Sequence, residues 1–257
     1  MRERARRQSR WYAYLKMQAN RLVQWTRGWP PATASLLLTL LVASCGGTSS
    51  ESQARPPIQV AMYGDSTTVG WSWNGTAYVI LTDNEPAIVQ TLVQAKCPSV
   101  TVVNKGVVGA SLDNLLAGTG GYTQPWTQEM AASPADIVVF NFGINDGHQT
   151  GMTVQKFDAE VRETVSVGQA AGKLMVIETS NPITQNPDVL LPQLAADEQL
   201  IAVQLHVPIV DQFAYLSKLD WSPYLSDGVH PTAAGYDLKA NYTASILGPI
   251  LMTQGCF

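Results

Sequence analysis

Five short apolar runs that alternate with helical patterns constrain this chain more than any other feature. The runs at 58–63, 100–104, 137–141, 174–178 and 207–210 have strand length and near-continuous apolar character. Runs of that kind are typical of strands covered on both faces, as in a parallel sheet between helices. Helices are predicted at 86–96, 154–171, 189–205 and 232–247. Ile88, Leu92 and Val93 mark the apolar face of the first. Val154, Phe157, Val161, Val165 and, slightly off register, Val167 mark that of the second. The third is rich in Leu and Ala. Strands and helices in this alternation build βαβ units, so the expected fold is α/β with a five-stranded parallel sheet.

At 257 residues the chain suits one such domain plus a targeting segment. The net charge of −4 hides an asymmetry. Half of the 16 basic residues precede Cys45, against a single acid, Glu3, and the remainder carries 8 basic and 19 acidic residues, a net of −11. An acidic domain is a poor nucleic-acid binder, because phosphate contacts need Lys and Arg.

The basic stretch ends at Arg27, and an apolar run from Ala32 to Ala43 follows Pro30-Pro31. That run is short of the roughly 20 residues needed to span a bilayer but suits the apolar part of an export signal. It closes on Val42-Ala43-Ser44-Cys45, which resembles a bacterial lipobox, and the resemblance implies lipidation at Cys45. The organisation expected is a signal peptide over 1–45, a polar tether over 46–57 and a domain over 58–257, anchored to a membrane and facing the periplasm or the cell exterior. An ordinary secretory signal and an uncut anchoring helix are the alternatives, and Met17 offers a second start that would shorten the basic region. Gly46 lacks the Asp that would retain such a lipoprotein at an inner membrane, which favours the outer one in a cell that has two.

Cys97 and Cys256 remain for the domain. In an exported protein such a pair is a candidate disulfide, here one that would tie the last helix back to the early part of the sheet; two free thiols are the alternative. No Cys-x-x-Cys or clustered-His pattern exists, so no metal site is expected.

Candidate functional residues stand just past the predicted strands, where open α/β sheets gather their sites. Gly64-Asp65-Ser66 follows the first strand, Gly109 lies a short turn beyond the second, and Gly143-Ile144-Asn145-Asp146 follows the third. Asp227-Gly228-Val229-His230 precedes the last helix. Each is ordinary alone: Gly-Asp-Ser is a turn tripeptide, and Asn-Asp-Gly a good turn. Together they supply an acyl-transfer site. Ser66 is the candidate nucleophile, and a serine hydroxyl needs a base to take its proton. His230 is the candidate base. Of the three histidines it alone has a carboxylate three residues upstream, Asp227, to orient its ring. His206 reads as structural. His148 either lines the site mouth or is simply exposed. The Ser66 and Gly109 backbone N–H groups and the Asn145 side chain are the candidate oxyanion donors. Thr232 is a helix-capping residue, which leaves Asp227 free, and Asp146 is expected to support its loop.

These segments resemble four of the sequence blocks of the SGNH hydrolases, the GDSL-type esterases and lipases. Ser66, Gly109, Asn145 and His230 match the four residues behind that name, and Asp227 matches the third triad member. The wider strings Asn104-Lys105-Gly106-Val107-Val108-Gly109 and Asp227-Gly228-Val229-His230-Pro231 agree. One departure is Thr67, where many members have Leu. The resemblance runs from about Ile58 to Leu247. It implies a flavodoxin-like three-layer α/β/α fold, a Ser66–His230–Asp227 triad, an oxyanion hole and no cofactor.

Substrate is less legible. Trp71, Trp73 and Tyr78 follow the nucleophile, and Tyr122 and Trp126 lie beyond Gly109. Trp71, Trp73, Trp126 and His148 are candidate substrate-lining residues; the alternative for the aromatics is that they pack loops onto the domain. The expected substrate is a small-molecule or glycan ester with a short acyl group, O-acetyl sugars included. A longer-chain lipase or thioesterase, an acyltransferase, and a catalytically silent envelope binding protein are the other readings. Oligomeric state is not legible.

Overall fold

The computed structural model describes residues 57–185 and 190–256. The expected signal, the lipobox with Cys45, nearly all of the tether and Val189 lie outside the described residues. The described strands and helices are β1 (Gln59–Gly64), α1 (Ser66–Val69), β2 (Trp71–Trp73), β3 (Tyr78–Ile80), α2 (Glu85–Gln94), β4 (Thr101–Gly106), α3 (Leu112–Ala117), α4 (Trp126–Ala132), β5 (Ile137–Phe142), α5 (Ile144–Gly147), α6 (Val154–Ala170), β6 (Leu174–Thr179), α7 (Leu191–Leu205), β7 (Ile209–Val210), α8 (Gln212–Leu216) and α9 (Ala233–Thr253). A 3₁₀ turn, Ser222–Tyr224, precedes the last loop.

The main sheet has five strands in the order β4-β1-β5-β6-β7, and every neighbouring pair is parallel. Numbered along the chain, this is the 2-1-3-4-5 order of flavodoxin-like folds. The side chains of the central strands alternate between two cores. In β5, Val138, Phe140 and Phe142 enter a core formed with α3, α4, α6 and α7. Ile137 and Val139 enter the opposite one, shared with α2 and α9. β1 does the same with Ala61 and Tyr63 against Val60 and Met62. Period-two alternation between two apolar faces makes the three layers.

Local chemistry sets the helix ends. The Asn84 side chain accepts from Ala87 N (3.2 Å) and opens α2, with Pro86 in its first turn. Thr153 caps α6 through Lys156 N (3.1 Å), and Thr232, the expected capping residue, caps α9 through Gly235 N (3.2 Å). α9 runs six residues past its expected end at 247, through Pro249. Tertiary packing carries it on, because Leu247 and Leu251 are buried against the sheet. The strand expected over 207–210 pairs only at Ile209 and Val210. Val207 is buried instead in the α6–α7 core. Cys97 and Cys256 are disulfide-bonded with Cα atoms 5.4 Å apart, joining the ends of α2 and α9. Sequence periodicity did not reveal α3, α4, α8 or the antiparallel β2–β3 hairpin.

Candidate active site

The turn from β1 into α1 places Ser66. Gly64 ends the strand where no side chain fits: a Cβ would lie 2.1 Å from Thr68 Oγ1 and 2.7 Å from the Asn141 carbonyl. Asp65, buried, caps α1, its Oδ1 accepting from both Thr67 N and Thr67 Oγ1 at 2.8 Å. The threonine that departs from the usual Leu thus braces the turn through its hydroxyl. Burial raises the Asp65 carboxyl above its ordinary value, against the Thr67 bonds that lower it.

Ser66 Oγ lies 3.0 Å from His230 Nε2. His230 Nδ1 lies 2.7 Å from Asp227 Oδ2. The loop between them is held by the same carboxylate: Asp227 Oδ1 accepts from Val229 N (2.9 Å) and His230 N (2.7 Å). Burial acts to raise the Asp227 carboxyl. The backbone bond from His230, the His230 ring, Val229 N and the Tyr78 hydroxyl outweigh it and bring it down to about 2. The pair is therefore set for an ionised carboxylate facing the ring N–H.

Two further segments complete the end of the sheet. Gly109 has φ +74°, a left-handed conformation, and a Cβ there would meet nothing within 4 Å. Backbone conformation, rather than crowding within the protein, is what asks for glycine. The Asn145 side-chain amide donates to the Ala110 carbonyl (2.9 Å) and weakly to Asp65 Oδ2 (3.4 Å), which ties it to the neighbours of Gly109 and of Ser66. No hydrogen bond from Ser66 N or Gly109 N occurs among the described residues. Asp146 supports its loop: its carboxylate accepts from Gly143 N (2.9 Å) and Leu112 N (2.7 Å), joining the third motif to the start of α3. Burial pushes its carboxyl up to about 7 despite those bonds.

Of the expected lining residues, Trp71 and Trp73 stand beside this row. Tyr78 stacks on Trp71 at 5.6 Å, meets Trp73 edge-on at 5.1 Å and meets the His230 ring edge-on at 5.6 Å. The expectation for Trp126 is overturned. It opens α4 with only 1 % of its surface exposed, packs against Tyr63 and donates its Nε1–H to the Thr164 carbonyl (3.0 Å). A large apolar ring that also satisfies its one donor inside the core has no stake in the surface. Tyr122 likewise holds structure, donating to the Gly64 carbonyl (2.9 Å). His148 is exposed, with Nδ1 2.8 Å from the Ile144 carbonyl, and makes no hydrogen bond to the serine, histidine or aspartate. His206 ends α7 at φ +54°, a structural position.

Sequence reasoning placed Tyr78 only among the aromatics that follow the nucleophile, yet its hydroxyl donates to Asp227 Oδ2 (2.9 Å). Asn74-Gly75, flanked by short aromatic runs, was the signal for the hairpin that delivers it. Asn74 caps the turn through Thr76 N and Ala77 N, both at 2.9 Å.

Fold and geometry define a class: a three-layer α/β/α protein with serine, histidine and aspartate hydrogen-bonded in a row at the carboxyl end of a parallel sheet. The chain belongs to the GDSL-like Lipase/Acylhydrolase family, whose model matches residues 62–238, and is an esterase of that family. Its fold is similar to a lipase/acylhydrolase from Enterococcus faecalis, with 17% identity, TM-score 0.62, and coverage of 75% of this chain and 96% of that one. It is also similar to a catalytic mutant of Axe2, an acetylxylan esterase from Geobacillus stearothermophilus, with 23% identity, TM-score 0.61, and coverage of 74% and 94%. An α/β hydrolase enzyme from the metagenome of Lake Arreo, Spain, has 19% identity, TM-score 0.58, and coverage of 74% and 95%. No curated protein matches the chain.

Proposed function

We propose that this esterase is a serine hydrolase of short acyl esters, sugar O-acetyl groups among them, with Ser66, His230 and Asp227 as its triad. The observation that carries the reading is the unbroken row from Ser66 Oγ to His230 Nε2 (3.0 Å) and from His230 Nδ1 to Asp227 Oδ2 (2.7 Å). Ser66 Oγ attacks the ester carbonyl carbon while His230 Nε2 takes its proton. The carbonyl oxygen, now anionic, is received by Ser66 N–H, Gly109 N–H and the Asn145 amide. The amide hydrogen held only at 3.4 Å by Asp65 is the one free to turn to it. As the tetrahedral intermediate collapses, the C–O bond to the alcohol breaks and His230 gives that oxygen its proton. Water then attacks the acyl-serine, His230 takes its proton, and the acid leaves as Ser66 Oγ is reprotonated. Asp227 stays ionised throughout, holding the tautomer and the imidazolium.

Two features support a sugar ester. Trp73 and Tyr78 are exposed next to the triad, Tyr78 edge-on to the His230 ring and Trp73 edge-on to Tyr78, and aromatic faces of this kind pack against pyranose rings. One of the similar structures is an acetylxylan esterase. Export and a lipid anchor at Cys45 would place the activity at the cell envelope.

The test is hydrolysis of chromogenic esters from acetyl to palmitoyl, wild type beside Ser66→Ala, followed by acetylated xylo-oligosaccharides. The expected result is a rate highest on acetyl, lost in the variant, with acetate released from the sugar. Activity rising with chain length would replace this reading with a lipase. Equal rates in both proteins would remove Ser66 from the mechanism.

A further inference from the structure

We infer that Tyr78 is a positioning residue for the Asp227–His230 pair: its phenol fixes the carboxylate oxygen that fixes the imidazole. The inference rests on the triad proposed above. Asp227 Oδ1 is occupied by two backbone donors, Val229 N and His230 N. Its Oδ2 takes the other two, the His230 ring nitrogen at 2.7 Å and the Tyr78 hydroxyl at 2.9 Å. Four donors fill the four lone-pair directions of a carboxylate, so it has no free rotation about its last bond. Without Tyr78, Oδ2 is held by the imidazole alone, the group it is meant to orient.

The phenol is itself anchored. Its ring lies between Trp71 and the edge of His230. The hairpin that carries it is tied down at two other points and closed at its base. Trp73 N donates to Ser226 Oγ (2.9 Å), and Ser226 Oγ in turn donates to the His230 carbonyl (3.0 Å). Tyr236 of α9 donates to the Trp71 carbonyl (3.0 Å), and Leu81 N closes the hairpin's own base on the Gly70 carbonyl (2.9 Å). The hairpin is thus a brace laid over the loop that holds both Asp227 and His230.

A hydroxyl donated to Oδ2 also draws negative charge away from the His230 ring N–H. Its removal strengthens the hold on the imidazolium and moves the acid limb of the kcat/KM profile to higher pH. The other titratable groups near the pair are Asp65, which faces His230 from the α1 turn, and Tyr236, which faces Asp227 from α9. The Lys239 charge acts on Asp65 in turn. None of them changes in the test.

Tyr78→Phe keeps the stacked ring and removes only the hydroxyl. On a chromogenic acetate, kcat is expected to fall roughly three- to tenfold with KM within about twofold, a partly exposed hydrogen bond to a charged group being worth about that. The acid limb is expected to rise by about 0.3–1 pH unit. The limb is read from active molecules alone, so a lower folded yield does not obscure it. In an Asp227→Ala background, Tyr78→Phe is expected to change nothing further, because the residue acts through the carboxylate. An unmoved acid limb, or the same loss in both backgrounds, would overturn the inference. Rates that do not depend on Ser66 would instead overturn the triad beneath it.

Discussion

Lys239 is the most exposed point of this architecture in energetic terms, although none of its surface meets solvent. It sits on α9, the helix that follows His230, and reaches Glu85 Oε2 of α2 at 3.0 Å and Glu178 Oε1 of β6 at 3.9 Å. Burial acts to lower the ammonium, but the Glu85 and Glu178 charges outweigh it and hold it above its ordinary value. Glu85 Oε1 accepts from Thr243 Oγ1 (2.7 Å) and Gln212 Nε2 (3.2 Å), whereas neither Glu178 oxygen has a hydrogen-bond partner. Lys239→Met keeps the stem and removes the charge. At 3.0 Å and an effective dielectric of about 20, the attraction lost is about 5 kcal/mol. Breaking buried pairs typically costs about 3–5 kcal/mol, because the abandoned carboxylate stays buried. That is a large part of the roughly 5–15 kcal/mol that a domain has, and corresponds to a Tm drop of roughly 6–20 °C. Urea unfolding at pH 7, with the disulfide intact, measures it. The variant should show a lower midpoint at unchanged slope. Adding Glu85→Gln should recover about 1–2 kcal/mol, since an amide at that position can donate to Glu178. A single variant within about 1 kcal/mol of wild type, or a double variant no better than the single, would refute the reasoning.

Two other predictions concern the site and its frame. Asn145→Ala should lower kcat on a short ester about 10²–10³-fold with little change in KM, because the oxyanion exists only after attack; a fall in KM-dependent rates alone would remove Asn145 from that role. Reducing Cys97–Cys256, which closes a separation of 159 residues, should cost about 3–5 kcal/mol and lower Tm by roughly 10 °C while leaving kcat nearly unchanged, measured with and without a phosphine reductant.

Periodicity carried the layers of the fold because the central strands β1, β5 and β6 are buried on both faces and α2 and α6 show one apolar face each. It failed where tertiary contacts decide. α4 is seven residues long, and beside Met130 its anchor is a tryptophan whose burial depends on Tyr63 and on the Thr164 carbonyl, both distant in sequence. No local pattern separates such a ring from one that lines a mouth. β7 is two residues long because Pro208, which has no N–H, joins the sheet only through its carbonyl, accepting from Ile177 N (3.0 Å). The hairpin was written in Asn74-Gly75, but a turn signal does not say where its strands will lie.

The motif residues were legible because the proposed chemistry asks for each residue type at its position; their supports were not, because support is a relation between segments. Asp65 and Asp146 show the difference. Both are buried acids inside motifs, and an acid in a motif invites a catalytic reading. Yet every hydrogen bond they make goes to a group that needs placing: Thr67 in the α1 turn, the Asn145 amide, Gly143 N and Leu112 N. Burial raises both carboxyls, which is the cost of putting them there. Asp227 is the opposite case. It is covered too, but four donors more than offset its burial and bring it down to about 2. An ionised, fully hydrogen-bonded carboxylate against an imidazole is suited to steady a positive charge that forms and disappears in each cycle. The two raised carboxyls are suited to hold a loop. The same residue type thus does two kinds of work at one edge of the sheet, and the number of donors around each carboxylate separates them.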